Sequence, residues 1–388
     1  TRRYWHFPML PEAEKTDPGE EAVVEEFRSR MMTAVKRRLI ADVPVGSCLS
    51  GGIDSSSIVC GVKKIDKKRK MHCFSLVFPG NKVDESNYQD EVIQTTKFHK
   101  HATTFSAKDI ITDMQDLVKA QEEPFGTLSI YGQYRVMKLA KENNVKVLLD
   151  GQGADEISAG YKWFFGYLFA ETFLKFHWRE MITEMKHYWR IYKEFSPFLN
   201  MKIILMPSWV NKTIWQFNKP YLKVRKNTKR KAKMWRARTI KNISYQAETY
   251  FSLPKLLTFE DRNSMRWSIE SRVPFCDHKL VEQALGEKTK HMIHRGITKR
   301  NLREAIKDFV PRTIWSRNDK KGFATPDDDL LRSTEGRQFA KKIINSTRFK
   351  KRPYWNAKKV SKLFEQHLKG KNNAKKLIPL LITEKWLR

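Results

Sequence analysis

Acidic residues are in short supply in this chain. Its 388 residues carry 43 Asp and Glu against 75 Lys and Arg, a net charge of +32. That excess is far beyond what solubility requires, so an anionic substrate or partner is expected. Long apolar runs are missing as well. None approaches the roughly 20 residues that span a bilayer, and the polar, aromatic start at Thr1 has no signal-peptide character. Cysteine is sparse: Cys48, Cys60, Cys73 and Cys276 form no CxxC pair and sit in apolar stretches. This usage suits buried, reduced thiols in a cytoplasmic protein rather than a metal site. There is no internal repeat and no low-complexity tract. The first residue is not Met, and the chain reads as a fragment or a processed piece.

A hydrophobic fraction of 40% is ample for one large domain or two. Residues 1–16 mix Pro, aromatics and charges without a period and read as a linker or extended arm. Residues 17–165 form the expected nucleotide-binding core. A helix starts there with Asp17 as N-cap, Pro18 at the first helical position and Glu20 three residues after the cap, with Val24, Phe27, Met31 and Val35 on one face. Val45–Leu49 reads as a short buried strand and Ser55–Lys64 as the helix leaving it. Further strands are expected at Cys73–Phe78, His101–Phe105 and Val145–Leu149, with helical patterns between, which implies an α/β fold: a parallel sheet wound by helices. Residues 166–388 show no clear strand alternation and read as mainly helical. Within them, residues 219–241 form a basic run without an acid, holding Tyr221 and Trp235. A solvated surface is the preferred reading of this run over a dedicated nucleic-acid site.

Four clusters carry chemistry. SGGIDSS, Ser50–Ser56, follows the first strand and opens a helix. Two glycines there let the backbone approach a phosphate, and the helix directs its first N–H groups at that anion. Ser50, Ser55 and Ser56 add hydroxyls, and Asp54 can bind a magnesium ion bridging phosphates. No Lys precedes the final Ser, which excludes a Walker A loop. A plain Gly-Gly turn is the structural alternative. The second cluster, LLDGQGADEISAGY at Leu148–Tyr161, again leaves an apolar strand. In a parallel sheet both turns lie at carboxyl ends, where ligands bind, so Asp155 is expected to face Asp54 across a magnesium pyrophosphate. In the third, SIESRVPFCD at Ser268–Asp277, Glu270 and Arg272 form either a catalytic group or a structural ion pair. The fourth, TKRNLREAI followed by PRTIWSRNDKKGFATP, offers Lys299, Arg317, Lys320 and Lys321 near Gly322 to neutralise a departing pyrophosphate.

In order and content these clusters, with EEPFGTLSIY at Glu122–Tyr131, resemble the synthetase domain of the asparagine synthetase B-type amidotransferases of the ATP-pyrophosphatase superfamily. The resemblance runs over nearly the whole chain. It implies an adenine-nucleotide α-hydrolase-like (HUP) doubly wound sheet with an appended helical region. It also implies the ligase reaction of asparagine biosynthesis: a carboxylate, aspartate as the leading choice, attacks the α-phosphorus of ATP, pyrophosphate leaves, and ammonia or an amine attacks the acyl-adenylate. Carried over by motif, Leu49, Ser50, Gly51, Gly52, Asp54, Ser55, Ser56, Val77 and Gly151 bind ATP. Asp54 and Asp155 hold Mg2+, Lys299 and Lys320 bind pyrophosphate, and Lys299, Glu270, Gln152 and Arg272 are the catalytic candidates.

Two departures from the family pattern matter. Full-length members carry an N-terminal glutaminase beginning with a nucleophilic Cys, and the opening TRRYWHFP resembles the segment after it. The expected partners are therefore a small carboxylate with ammonia or an amine, or a separate glutaminase domain or subunit. Gln152 stands where asparagine synthetases carry Glu and β-lactam-forming relatives carry Tyr, and an amide cannot act as a base. Sugar acids and peptides thus stay open as substrates, and contact of the basic run with a membrane surface is a further expectation. Two rivals remain at this point: a tRNA-modifying enzyme with the same loop, and a catalytically silent scaffold. A nucleic-acid partner is not expected, since tRNA-modifying enzymes should not share ESRVPFCD or KKGFATP.

Overall fold

The computed structural model describes residues 2, 18–206, 221–223, 237–319 and 323–388. Helix α1 (Glu20–Arg38) opens the described fold, with Gly19 at its N-cap in a left-handed conformation, φ 97°. The expected cap Asp17 lies outside the described residues. α1 buries Val23, Phe27, Met31, Ala34 and Val35 on one stripe. Strands and helices then alternate: β1 (Val45–Cys48), α2 (Ile53–Ile65), β2 (His72–Leu76), α3 (Ser86–Thr96), β3 (His99–Thr103), α4 (Ala107–Gln121), α5 (Ser129–Glu142) and β4 (Val147–Leu149). This alternation confirms the wound parallel sheet. The third strand begins two residues earlier than expected, because His99 and Lys100 pair in register with His72 and Cys73 despite their polarity.

Strand order is β3-β2-β1-β4-β5, all parallel. The fifth strand, β5 (Glu270–Arg272), comes from the half of the chain expected to be helical. Its three polar residues carry no hydrophobic alternation, and only the ladder to Val147–Leu149 makes it a strand. A two-stranded ribbon, β6 (Ile293–His294) with β7 (Ile297–Thr298), is a second strand element absent from the sequence reading.

Side-chain alternation along the strands divides the apolar interior in two. Val147 and Leu149 join Phe27, Ile58 and Phe165 on one face, whereas Leu148 and Phe74 join Tyr131 and Met137 on the other. The C-terminal helices, 327–386, cover that second face through Leu331, Ile343, Leu377 and Ile378. Beyond β4 lie α6 (Ala154–Ile157), α7 (Phe164–Leu174), α8 (Trp178–Tyr192) and α9 (Ser196–Leu205), with Phe164, Phe165 and Phe169 of α7 fully buried. Among the described residues no helix is long and apolar enough to cross a membrane.

β1 is the point where strand order reverses. The chain winds outward through β2 and β3 on one side and through β4 and β5 on the other, leaving a crevice between the carboxyl ends of β1 and β4. Ligands of open α/β sheets bind at such a switch point.

Candidate active site

A cleft of about 830 Å3 opens at this crevice. Its floor is the turn from β1 into α2. Gly51 has φ 80°, a conformation that costs glycine nothing, and Gly52 caps α2 without a side-chain bond, leaving an end that favours an anion. The turn is held by its own serines. The Ser50 N–H donates to Ser55 Oγ at 3.1 Å, the two hydroxyls lie 3.0 Å apart, and the Gly52 N–H donates to Ser50 Oγ at 3.2 Å.

The opposite wall is the turn after β4. Gly151 lets this backbone close on the first, since a Cβ there would stand 3.0 Å from Asp54 Cβ and 3.1 Å from Ser55 N. Between the two turns lies Lys299, only 1% exposed. Its Nζ pairs with Asp54 and lies 2.8 Å from Asp155 Oδ1. Lys299 sits at φ 55°, the left-handed N-cap of helix Arg300–Ile306, with its N–H donating to Ser158 O at 3.0 Å. Burial pulls the Lys299 pKa down, opposed by the Asp54 carboxylate. A Cβ on Gly160 would overlap both Lys299 Cε and Asp155 Oδ1, so glycine at 160 is what admits this ammonium.

Two arginines complete the cationic wall. Arg303 stands four residues after Lys299, on the helix that Lys299 caps. It lines the cleft and is held by Thr298 O at 2.7 Å and Trp315 O at 2.5 Å. Arg317 donates to Gly51 O at 3.1 Å, pairs with Glu85 at 2.6 Å and lies over the Tyr88 ring. Burial lowers its pKa, but pairing with Asp319 and Glu85 outweighs that, and the net shift is upward.

Acids gather around the β4 turn, and Asp150 among them lines the cleft. Burial raises Asp150 to about 6, against the lowering effect of the Gly151 N–H at 2.5 Å. Burial, then the neighbouring Asp150, also raises Glu260, which accepts a hydrogen bond from Ser271. Burial and Glu156 push Glu248 up to about 8. Gln152 lines the cleft, and its carbonyl oxygen lies 3.8 Å from Cys276 Sγ. Cys60 and Cys73 are buried, whereas Cys48 and Cys276 are half-buried and Cys48 lines the cleft.

The structure thus brings Ser50, Gly52, Asp54, Ser55, Gly151, Gln152, Asp155 and Lys299 to one cleft. Leu49, Gly51 and Ser56 belong to the same turn but do not line it, and Val77, just past the end of β2, hydrogen-bonds through its N–H to Thr103 O. Glu270 and Arg272 require a correction. They pair with each other at 2.7 Å away from the cleft, and Arg272 donates to Arg38 O at 2.9 Å and Ile40 O at 2.7 Å, securing the end of α1. β5 runs parallel to β4, so Glu270 opposite Val147 lies at the wrong end of the sheet. Lys320, Lys321, Gly322 and most of the basic run 219–241 lie outside the described residues. Sequence reasoning missed Arg303, legible only as the residue at i+4 from Lys299. It also missed Lys82, Gln133, Asp327 and Lys375, which reach the cleft from distant elements without a local motif.

A doubly wound sheet with a glycine- and serine-rich turn at its switch point is an architecture suited to binding the phosphates of a nucleotide. The Asparagine synthase family model matches residues 26–388, and the chain belongs to that family. It is 26% identical to asparagine synthetase 1 (glutamine-hydrolyzing) of Bacillus subtilis over 95% of this chain and 59% of that protein. It is likewise 26% identical to asparagine synthetase 3 of the same organism, over 81% of the chain and 50% of that protein. A third similar protein is a putative asparagine synthetase of Methanocaldococcus jannaschii, 35% identical over 41% of the chain and 30% of that protein. The chain spans about half the length of these two Bacillus subtilis relatives.

Proposed function

We infer that the chain is an ATP-dependent carbon–nitrogen ligase. A substrate carboxylate attacks the α-phosphorus of ATP and expels pyrophosphate. Ammonia or an amine then attacks the acyl-adenylate, yielding the amide and AMP. The observation that carries this reading is Lys299, a buried ammonium held between Asp54 of the β1 turn and Asp155 of the β4 turn. A preorganised, buried cation stabilises the charge that develops on a leaving pyrophosphate. Arg303 and Arg317 extend the same field, and the SGGIDSS turn supplies backbone N–H groups to the phosphates.

Asp54 and Asp155 are the residues that would hold Mg2+. Their all-oxygen donor set fits a hard cation that keeps water and phosphate ligands. Among the described residues no group of three or more His, Cys, Asp or Glu is placed to hold a metal, so the ion would arrive with the nucleotide. When bound, it supplies further neutralisation of the phosphate charge. Gln152 orients the incoming amine through its amide and takes no proton from it.

Aspartate is the leading carboxylate because the similar curated proteins are named asparagine synthetases. The amine is ammonia, supplied free or by a glutaminase domain or subunit, as "glutamine-hydrolyzing" in those names suggests. Exchange of labelled pyrophosphate into ATP, measured with aspartate and with a panel of sugar acids, tests the reading. One carboxylate should drive exchange, and Asp54→Asn should abolish it. Absence of exchange with every carboxylate by folded, ATP-binding protein would sink the proposal.

A further inference from the structure

α8 is amphipathic in an unusual sense, because its outward face is also apolar. Glu184 and Tyr188 point inward and are buried. About 120° around the helix from them, Trp178, Ile182 and Trp189 are exposed. Their spacing of four and seven residues places them within about 40° of one another around the helix. The stripe continues past both ends. Phe176, 76% exposed, lies beside Trp178 with ring centroids 6.4 Å apart and the planes tilted. Phe195, 65% exposed, lies 4.4 Å from the Trp189 ring, and Leu199 of α9 is 63% exposed. Isolated exposed apolar residues need no explanation, but a row of them along one helix and its flanks marks an interaction surface.

Cations border it. Arg179, Lys186 and Arg190 are exposed and share one flank of the helix, about 80° from the middle of the stripe, while Lys175, Lys193 and Lys202 stand exposed near its ends. Tryptophan and phenylalanine edged by Lys and Arg are the composition of a helix that lies in a membrane interface, rings among the headgroups and cations on lipid phosphate. The net charge of +32 supplies long-range attraction of the same sign.

We propose that α8, with Phe176 and Phe195 at its ends, docks this protein peripherally on an anionic lipid bilayer. Tyr192, the last residue of α8, lines the active-site cleft, so the docking helix adjoins the site. The proposal stands on the exposed face alone and is independent of the ligase reading.

The test is co-sedimentation of the full chain with vesicles of phosphatidylcholine, alone or mixed with phosphatidylglycerol. Wild-type protein should bind the mixed vesicles and not the neutral ones. The triple variant F176S/I182S/W189S should bind at least about tenfold more weakly, with thermal unfolding and solution pyrophosphate exchange unchanged. Arg179→Gln and Lys186→Gln should each weaken binding about fivefold. Failure of the wild-type protein to bind anionic vesicles overturns the proposal. So does equal binding by the triple variant, which would leave only diffuse electrostatics. A dimer that the triple variant dissociates, with no vesicle binding by either, would assign the face to a second copy instead. Because exchange is read without vesicles, loss of one activity cannot be mistaken for loss of the other.

Discussion

Arg317 lies over Tyr88, its guanidinium carbon 3.9 Å from the ring centroid, while one of its N–H groups reaches the carbonyl oxygen of Gly51. The pair couples α3 to the phosphate turn. A lysine at 317 keeps the charge but loses the guanidinium's contact with the ring and the fork that serves Gly51, Glu85 and Asp319 together. Arg317→Lys should lower pyrophosphate exchange by about tenfold or more, with a melting temperature within a few degrees of wild type. An unchanged rate would remove Arg317 from the cationic wall.

Gly160→Ala places a methyl group on Lys299 Cε and Asp155 Oδ1. Overpacking of this kind costs about 1–3 kcal/mol, and here relief requires moving the buried ammonium. The expected result is loss of exchange out of proportion to the drop in stability, checked by comparing rates and denaturant midpoints on the same preparation.

Glu248 yields a pH prediction. Burial raises its folded pKa from 4.5 to about 8, so the folded state holds a proton that the unfolded state has released. Its contribution to stability is full below pH 4.5 and is lost as pH rises toward 8, with a slope of at most about 1.4 kcal/mol per pH unit. Glu248→Gln removes that titration. Its melting temperature should match wild type near pH 5 and exceed it above pH 8, as calorimetry across the range would show.

Glu270 and Arg272 separate structure from catalysis. Glu270 is exposed, and Glu270→Gln should cost under about 1 kcal/mol and leave exchange intact. Arg272→Ala removes both carbonyl contacts at the end of α1 and should destabilise by about 1–3 kcal/mol without selectively abolishing turnover. A selective loss of rate in Glu270→Gln would restore it to the active site.

Why some of this was legible in the sequence follows from distance along the chain. The β1 turn is a local device: glycines, Asp54 and three serines fall within seven residues, and strand-to-helix hydrophobic patterning frames them. The β4 turn shares that property. Lys299 could be placed only through its motif, since its partners Asp54 and Asp155 are 245 and 144 positions away in sequence. Glu270 stayed ambiguous because an acid near an arginine has one spelling for catalysis and for a clasp, and only its ion pair and its register opposite Val147 favour the clasp. Lys82, Asp327 and Lys375 are invisible to pattern reading because nothing adjacent to them announces the cleft.

The pairing of β4 with β5 also bears on how the polypeptide is made. Val147 meets Glu270 across 123 positions, so the Val-Leu-Leu strand has no outer neighbour until the ribosome has released the segment that follows helix Leu253–Arg266. A truncated product ending before residue 270 would present that apolar strand as a bare edge, open to pairing with other chains. Aggregation of such a truncate, and prolonged engagement of the nascent chain by chaperones, are what this order of synthesis dictates.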